Sequence, residues 1–303
     1  MDVLTAPPSV ERLDPERINT ELRACPRLPS LGSINSALRE LLNADQRYTS
    51  QISDVIRRDP SLTARLLRLV NSVYYGITTP VKSIEEAVFY LGVRQIRQLA
   101  MVTPVIEDFQ RLAGNSPFPW REFWQHCIGT ALLTGEVLSC TQALPDEADY
   151  VAGLVHDVGK IAMAAAFPVH FAEIRRRVAG GRDDLLRIEL EVLGISHPAL
   201  GALYLRSHNL PDIMVESAQF HHEPEAARLY PQVVAAVQIA DLLVRYARIG
   251  ISGNPEKISA LAWQQASGWA ILFPQQAEAE RAFARASLQG YLDRLPSILE
   301  GLV

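Results

Sequence analysis

The stretch GLVHDVGKIA, residues 153–162, places His156 and Asp157 side by side in a run that is otherwise almost entirely apolar. Lys160 follows three positions after the aspartate. The apolar residues on both sides predict a buried helix. Burying an imidazole next to a carboxylate is costly unless the two groups are paired or coordinated. The stretch therefore indicates either metal ligands or a polar pair with hydrogen-bond partners in a helical core.

The rest of the chain shows the same helical periodicity, with apolar residues at three- and four-residue steps. The run DPSLTARLLRLVNS (59–72) begins with an Asp-Pro pair, which suits an N-cap followed by the first helical position. The run SIEEAVFYLG (83–92) begins with a capping box formed by Ser83 and Glu86. No segment shows a convincing alternation of apolar and polar residues, which is the pattern typical of a β-strand, so the sequence predicts an all-α protein.

Composition narrows the class of protein further. With 303 residues, 48% hydrophobic and 21% charged, the chain has the composition of a folded protein with a sizeable core. The 29 basic and 34 acidic residues give a net charge of −5, so nucleic acid and anionic membranes are not expected partners. The three cysteines are scattered, no apolar run is long enough to span a membrane, and the N-terminus lacks an apolar signal core. We expect a cytoplasmic protein.

The histidines divide the chain into two parts. A cluster of Gly, Asn, Ser and Pro at AGNSPFPW (113–120) marks a break, and all seven histidines follow it, between positions 126 and 222. Any metal chemistry is thereby assigned to the second part. The predicted organisation is a flexible arm over 1–20, an N-terminal helical subdomain over 21–115, a metal-binding core over 116–250 and a C-terminal helical extension over 251–303.

Eight residues of the second part are candidate metal ligands because they are imidazoles or carboxylates in predicted helices. They are Glu122, His126, His156, Asp157, His197, His221, His222 and Asp241. Together they suit Fe, Mn or Zn, and a carboxylate such as Asp157 can bridge two ions. A cofactor of two or more divalent transition-metal ions is therefore expected. A single buried histidine is more often a packing residue, and that reading is kept for His170 and His208.

Helix geometry constrains how these residues could bind. Glu122 and His126 are four positions apart, so on a helix they project from one face. Adjacent residues of a helix point about 100° apart. His221 and His222 therefore serve two neighbouring ions, or lie at a helix end, or include one packing residue. A cluster held by hydrogen bonds alone remains the alternative to a metal site.

The sequence resembles a known superfamily. GLVHDVGKIA looks like the signature of the HD-domain phosphohydrolases, and residues 28–224 resemble an HDOD domain, the HD-related output domain of bacterial signalling proteins. The matching stretches are DPSLTARLLRLVNSVYYG (59–76), IEEAVFYLGVRQIRQLA (84–100), WREFWQHC (120–127), VAGLVHDVGKI (151–161), SHPALGALYLRSHNLP (196–211) and the pair His221-His222. The resemblance implies a multi-helix bundle with an HD-like core and an N-terminal helical subdomain. It also implies a regulatory module with a protein partner in a signalling pathway.

The ligand set is also similar to that of the HD-GYP phosphodiesterases, which cleave cyclic di-GMP at a site of two or three metal ions. In that comparison Asp157 belongs to the catalytic HD pair and Lys160 matches the lysine that contacts the substrate phosphate. The departure is HHEPEAARLYP (221–231), which replaces the loop that would carry Gly-Tyr-Pro. Two functions stay open: a regulatory module that binds metal, and a metal-dependent phosphohydrolase with a nucleotide or cyclic dinucleotide as ligand.

Overall fold

The computed structural model describes residues 10–25, 118–141, 147–180, 184–274 and 278–300, together with positions 67, 80–83, 86, 87, 90, 143 and 145. No strand occurs in this part of the chain, so the all-α prediction is confirmed. In chain order the helices are α1 Pro15–Ala24, α2 Trp120–Ser139, α3 Glu147–Val155, α4 Val158–Ala166, α5 Pro168–Ala179, α6 Leu185–Val192, α7 His197–Ser207, α8 Asp212–Phe220, α9 Pro231–Tyr246, α10 Ala260–Gln264, α11 Gly268–Leu272, α12 Glu278–Leu292 and α13 Leu295–Glu300. A short 3-10 helix, Pro224–Ala226, precedes α9.

Helix α1 differs from the expectation of a flexible arm over residues 1–20. The carboxylate of Asp14 caps the helix by accepting a hydrogen bond of 2.8 Å from the backbone N–H three residues later, and Pro15 occupies the first helical position. Ile18 and Leu22 lie four positions apart and are buried, with α1 packed against α4. The helix is held because its apolar stripe is buried in the body. Residues 1–9 lie outside the described residues.

Most of the predicted N-terminal subdomain, including the helix at 59–72, also lies outside the described residues. One of its predicted helix starts is visible: the backbone N–H of Glu86 donates to Ser83 Oγ at 3.2 Å. The N–H of Lys82 donates in turn to the carboxylate of Glu86 at 3.3 Å, which completes a reciprocal cap shifted by one residue from the expected box. The domain boundaries remain predictions.

Helix α2 is the axis of the described body. It has 20 residues, most of them buried, and packs against α3 and α9. The C-terminal helices α12 and α13 contact α2, and Trp263, Trp269 and Leu288 are buried in the same core. The C-terminal helices therefore pack against α2, while the predicted bounds of the extension stay a prediction. None of the described helices combines the length and the apolar character needed to cross a membrane.

Helices α4 and α7 approach each other closely enough that backbone meets backbone. A Cβ added at Gly159 would collide with the carbonyl oxygen of His197 and lie 2.8 Å from the backbone nitrogen of Gly201. A Cβ at Gly201 would in turn lie 3.0 Å from the nitrogen of Gly159. Only glycine fits this crossing. The crossing brings the start of α4, where Asp157 lies, next to His197 at the start of α7.

We expect Gly159→Ala to lower the free energy of unfolding by roughly 1–3 kcal/mol, because the added methyl group can be accommodated only by moving α7. Gly290→Ala is the matched control, since nothing lies within 4 Å of a Cβ at that helical position. It should be neutral or stabilise by up to about 1 kcal/mol through helix propensity. Urea unfolding of both variants tests this, and equal stabilities would refute the close crossing.

Candidate metal centre

His156 and Asp157 lie in a turn between two helices, not inside one apolar helix as the sequence predicts. Helix α3 ends at Val155 and α4 begins at Val158. Asp157 has φ −97° and ψ 14°, in the sparsely populated bridge region where many active-site residues lie. Its side chain occupies an N-cap position but caps no backbone N–H. The helix break lets two adjacent side chains face the same centre, which a continuous helix would prevent.

One oxygen of Asp157 faces a first group of ligand atoms. Asp157 Oδ2 lies 3.6 Å from His126 Nε2 and 3.5 Å from His156 Nε2, and accepts a hydrogen bond of 2.6 Å from Lys160 Nζ. Asp241 Oδ1 reaches the same place from α9, 3.2 Å from His126 Nε2 and 3.9 Å from His156 Nε2. Helices α2 and α9 and the turn before α4 therefore bring two imidazoles and two carboxylates together, and α4 adds Lys160.

The other oxygen of Asp157 faces a second group. Asp157 Oδ1 lies 3.3 Å from His197 Nε2 and 3.7 Å from His221 Nε2. His222 Nε2 lies 3.3 Å from His197 Nε2. His221 and His222 directly follow α8, so they lie at a helix end, which is one of the arrangements left open by the sequence. The two carboxylate oxygens of Asp157 thus lie between two clusters of imidazoles.

Hydrogen bonds fix which nitrogen of three histidines faces the clusters. The Nδ1 of His156 donates to the carbonyl of Gly153 at 2.7 Å, and that of His221 donates to the carbonyl of Ala218 at 3.0 Å. These oxygens can only accept, so Nδ1 carries the proton and Nε2 presents a lone pair. The Nδ1 of His197 is fixed in the same way by the carboxylate of Glu189 at 2.8 Å. Orientation of this kind is typical of histidines that bind metal ions.

Both central carboxylates are held in the ionised form. Burial by itself raises the pKa of Asp157, but Lys160 and the surrounding histidines outweigh it and leave the pKa well below its ordinary value. Burial likewise raises the pKa of Asp241, and Arg245 together with His126 lowers it well below the ordinary value. At neutral pH the centre therefore contains two buried negative charges.

The histidines fall into two sets. Burial lowers the pKa of His156, lowers that of His221 strongly, and lowers that of His222 to about 3, so these three are neutral. Burial also acts to lower the pKa of His126 and His197, but neighbouring carboxylates outweigh it and the pKa of each is raised. A proton on either histidine would occupy the place where a cation would bind, so protons and metal ions compete for these two residues.

The donor set fits metal ions. Asp157 Oδ1 and His221 Nε2 are buried atoms with no hydrogen-bond partner, and both face the cluster. Two triads, His126-His156-Asp157 and His197-His221-His222, each have ligand atoms within 4.8 Å of one another. Ligands of a Zn ion lie about 2.0–2.2 Å from it, so two ligands of one tetrahedral ion lie about 3.4 Å apart. The ligand atoms of the first triad already have this spacing, with distances of 3.3, 3.5 and 3.6 Å between them. The structure therefore contains clusters that could bind metal.

Seven of the eight predicted ligands meet in this cluster, and Glu122 does not. Glu122 lies one turn before His126 and is half-buried, but within the described part of the chain its carboxylate contacts none of the other seven. Its backbone carbonyl instead accepts the N–H of Ile251 at 2.9 Å. His170 and His208 lie elsewhere: the first contacts the carbonyl of Glu11 and the second packs edge-on against Tyr204.

A cavity of about 240 Å³ adjoins the cluster. Its walls come from the cluster itself, the start of α6 and the segment after α9. They are Asp157, Lys160, Asp184, Leu185, Leu186, His197, His222, Glu223, Asp241, Arg245, Ser252, Asn254 and Glu256. The predicted phosphate-contacting lysine therefore does line a cavity next to the candidate metal ligands. The volume is below the roughly 300–1,000 Å³ of sites for drug-sized ligands.

The loop that follows His221 and His222 is held in place by hydrogen bonds to a buried carboxylate. The carboxylate of Glu216 accepts hydrogen bonds from the backbone N–H groups of Arg228, Leu229 and Tyr230, the shortest of them 2.8 Å. Within the segment that departs from Gly-Tyr-Pro, three consecutive amides are thereby satisfied. The chain enters α9 at Pro231 directly afterwards, so this local structure positions Asp241.

Two residues of the site were missed by the sequence analysis. Glu189 lies on the apolar face of α6 with Leu185, Ile188 and Val192 and is 1% exposed. A carboxylate in an apolar stripe signals a buried partner, and that signal is present in the sequence. Arg245 lies four positions after Asp241, a spacing that predicts a contact on a helix.

Together these features define an all-α protein with a histidine-aspartate centre of HD type. The HDOD domain model matches residues 28–224, about two-thirds of the chain, and the chain belongs to this family. It is 25% identical over 227 residues to an uncharacterized protein of Treponema pallidum (strain Nichols); the match spans 73% of the chain but 43% of that relative.

Solved structures agree on the fold. An HDOD domain protein of unknown function from Geobacter sulfurreducens superposes with a TM-score of 0.78 at 25% identity, covering 96% of this chain and 99% of that one. A protein from Shewanella amazonensis SB2B, provisionally described as a phosphohydrolase, superposes with a TM-score of 0.67 at 22% identity, covering 95% and 98%. At that identity the second likeness concerns the fold alone.

Proposed function

We propose that this protein is a regulatory module of bacterial signalling whose HD-like centre binds two divalent transition-metal ions. The observation that carries the proposal is the position of Asp157, whose two carboxylate oxygens face two separate groups of imidazoles. A carboxylate placed in this way is suited to bridge two ions. Mixed imidazole and carboxylate ligands favour Fe, Mn or Zn. The family supports a protein partner as the recipient of the signal.

Charge and burial explain why ions would stabilise this centre. Asp157 and Asp241 are 1% and 4% exposed and both are ionised. Lys160, in an ion pair with Asp157, and Arg245, in an ion pair with Asp241, offset part of that negative charge. The Nε2 atoms of the histidines face the ligand clusters, where a cation would compete with protons for His126 and His197, whose pKa neighbouring carboxylates raise. Metal binding is accordingly expected to raise the thermal stability of the chain.

A second candidate function is a metal-dependent phosphohydrolase, and the cavity favours it. Divalent ions bound at such a centre lower the pKa of water and neutralise phosphoryl oxygens. Lys160 lines the cavity with its Nζ held 2.6 Å from Asp157 Oδ2, where it can offset negative charge on a phosphoryl group. The cavity volume favours a single phosphoryl group or a mononucleotide phosphate over a whole cyclic dinucleotide.

Metal analysis of the purified full chain tests the proposal. After equilibration with Fe, Mn or Zn and removal of free ions, we expect two ions per chain for at least one of them, and a lower melting temperature after chelation. A chain that retains none of the three would contradict the metal site. A screen of phosphomonoesters, nucleotides and cyclic dinucleotides on the same loaded sample separates the two candidates, because metal without turnover supports the regulatory module.

A further inference from the structure

Arg245 holds a buried positive charge beside the cavity that its contacts do not satisfy. Its side chain is 8% exposed. Nη1 lies 3.5 Å from Asp241 Oδ2 and Nη2 lies 3.3 Å from Glu256 Oε2, both longer than the roughly 2.7–2.9 Å of a charge-assisted hydrogen bond. Its Nε is buried and has no hydrogen-bond partner. By contrast, Lys160 in the same cavity makes a bond of 2.6 Å.

The position of the guanidinium therefore suits binding of a ligand in the cavity better than fixing the carboxylate of Asp241. An arginine whose role was to hold that carboxylate would be expected to do so with two short, parallel bonds. Arg245 instead divides its donors between two carboxylates and lines the cavity. A buried guanidinium with donors to spare is suited to an oxyanion with several oxygens, such as a phosphoryl group.

Glu256 currently occupies the outer side of Arg245. It lies on the segment between α9 and α10, where its backbone N–H donates to Asn254 Oδ1 at 3.0 Å. The side chain of Glu256 is 66% exposed, so water already solvates most of its charge. Releasing this carboxylate from Arg245 costs little, because the contact is long and the carboxylate is already mostly solvated. An incoming anion could therefore take its place.

The charge of the cavity sets a condition on anion binding. Its walls carry five carboxylates and two fixed cations, a net charge of −3, which repels anions. The two divalent ions of the proposed function would change this to +1. Anion binding should therefore require metal, and by linkage the anion should tighten metal binding by the same factor.

We infer that Arg245 and the adjoining candidate metal centre form a binding site for a phosphoryl group, in which Glu256 is the internal anion that the ligand displaces. The inference rests on the proposed metal site and adds to it a residue that selects the ligand. It identifies the ligand class as phosphate or a phosphomonoester, with one end at the centre and an oxygen on Arg245.

Calorimetric titration of the metal-loaded full chain with inorganic phosphate tests this site, with metal content measured on the same samples. We expect Arg245→Met to weaken phosphate binding at least about tenfold while two ions remain bound. Glu256→Gln should strengthen binding several-fold, because the competing carboxylate is lost. Arg176→Met, which removes an exposed arginine on α5, is the matched control and should leave phosphate binding unchanged.

The outcomes separate this site from the metal site. Full metal content with no phosphate binding by the parent chain, or with the same affinity in Arg245→Met, would overturn the phosphoryl site and leave the metal site intact. A chain that binds neither would overturn both. If Arg245→Met loses metal because Asp241 is disturbed, Glu256→Gln decides, since an unchanged phosphate affinity there would overturn the inference.

Discussion

Replacing Asp157 by alanine is expected to abolish binding of both metal ions, with a loss of affinity larger than the roughly 10–100-fold that removal of an outer hydrogen-bond partner causes. The reason is geometric: Oδ2 faces His126 and His156, and Oδ1 faces His197 and His221. No other carboxylate among the described residues contacts both groups. The measurement is elemental analysis of the purified variant after equilibration with Fe, Mn or Zn.

The matching controls separate loss of metal from loss of fold. Asp157→Ala leaves Lys160 buried at 6% exposure without its short ion pair, which is destabilising in itself. The double variant Asp157→Ala with Lys160→Met removes both charges and should recover much of that stability without recovering metal. Asp212→Ala changes an exposed aspartate in the first turn of α8 and should keep both ions. Full metal content in Asp157→Ala would refute a bridging role.

The helical class of the protein could be predicted from the sequence because it depends on local signals. Apolar residues at three- and four-residue steps predict helices, and caps such as Ser83 mark where helices begin. The flexible arm was wrong for α1 for a related reason. The charged, proline-rich composition of this segment favours a loose arm, but Ile18 and Leu22 lie four positions apart and bury one face of a helix.

The sequence also predicts most members of the cluster, because seven of the candidate ligands do converge in the structure. The positions of their side chains could not be predicted. A continuous helix through His156 and Asp157 would point the two side chains apart. The break between α3 and α4 lies two residues before Gly159, whose packing against α7 is a contact distant in sequence. Glu122 shows the converse. Glu122 lies four positions before His126, which predicts that both side chains project from one helix face, yet the structure does not bring its carboxylate to the cluster.

Glu189 is the residue whose replacement should separate the two ion positions. Its carboxylate accepts both the backbone N–H of His197, at 2.7 Å, and the Nδ1–H of the same residue, at 2.8 Å. It therefore serves as the cap of α7 in place of Ser196, whose side chain makes no capping bond. At 1% exposure Glu189 has no access to water that could substitute for it. It contacts His197 and is not itself one of the candidate ligands.

We expect Glu189→Gln to lower metal affinity at the His197 position by about 10–100-fold, because the amide lacks the negative charge that strengthens His197 as a ligand. It also places an N–H donor where Oε1 now lies 3.0 Å from His197 Nδ1. The His126 position should keep its ion, since Glu189 contacts none of its ligands among the described residues. Chelator competition should then show one tight and one weak site where the parent chain has two tight ones. Glu191→Gln, an exposed change on the same helix, should retain both. Equal weakening of both sites would indicate a general loss of packing and would contradict a positioning role specific to His197.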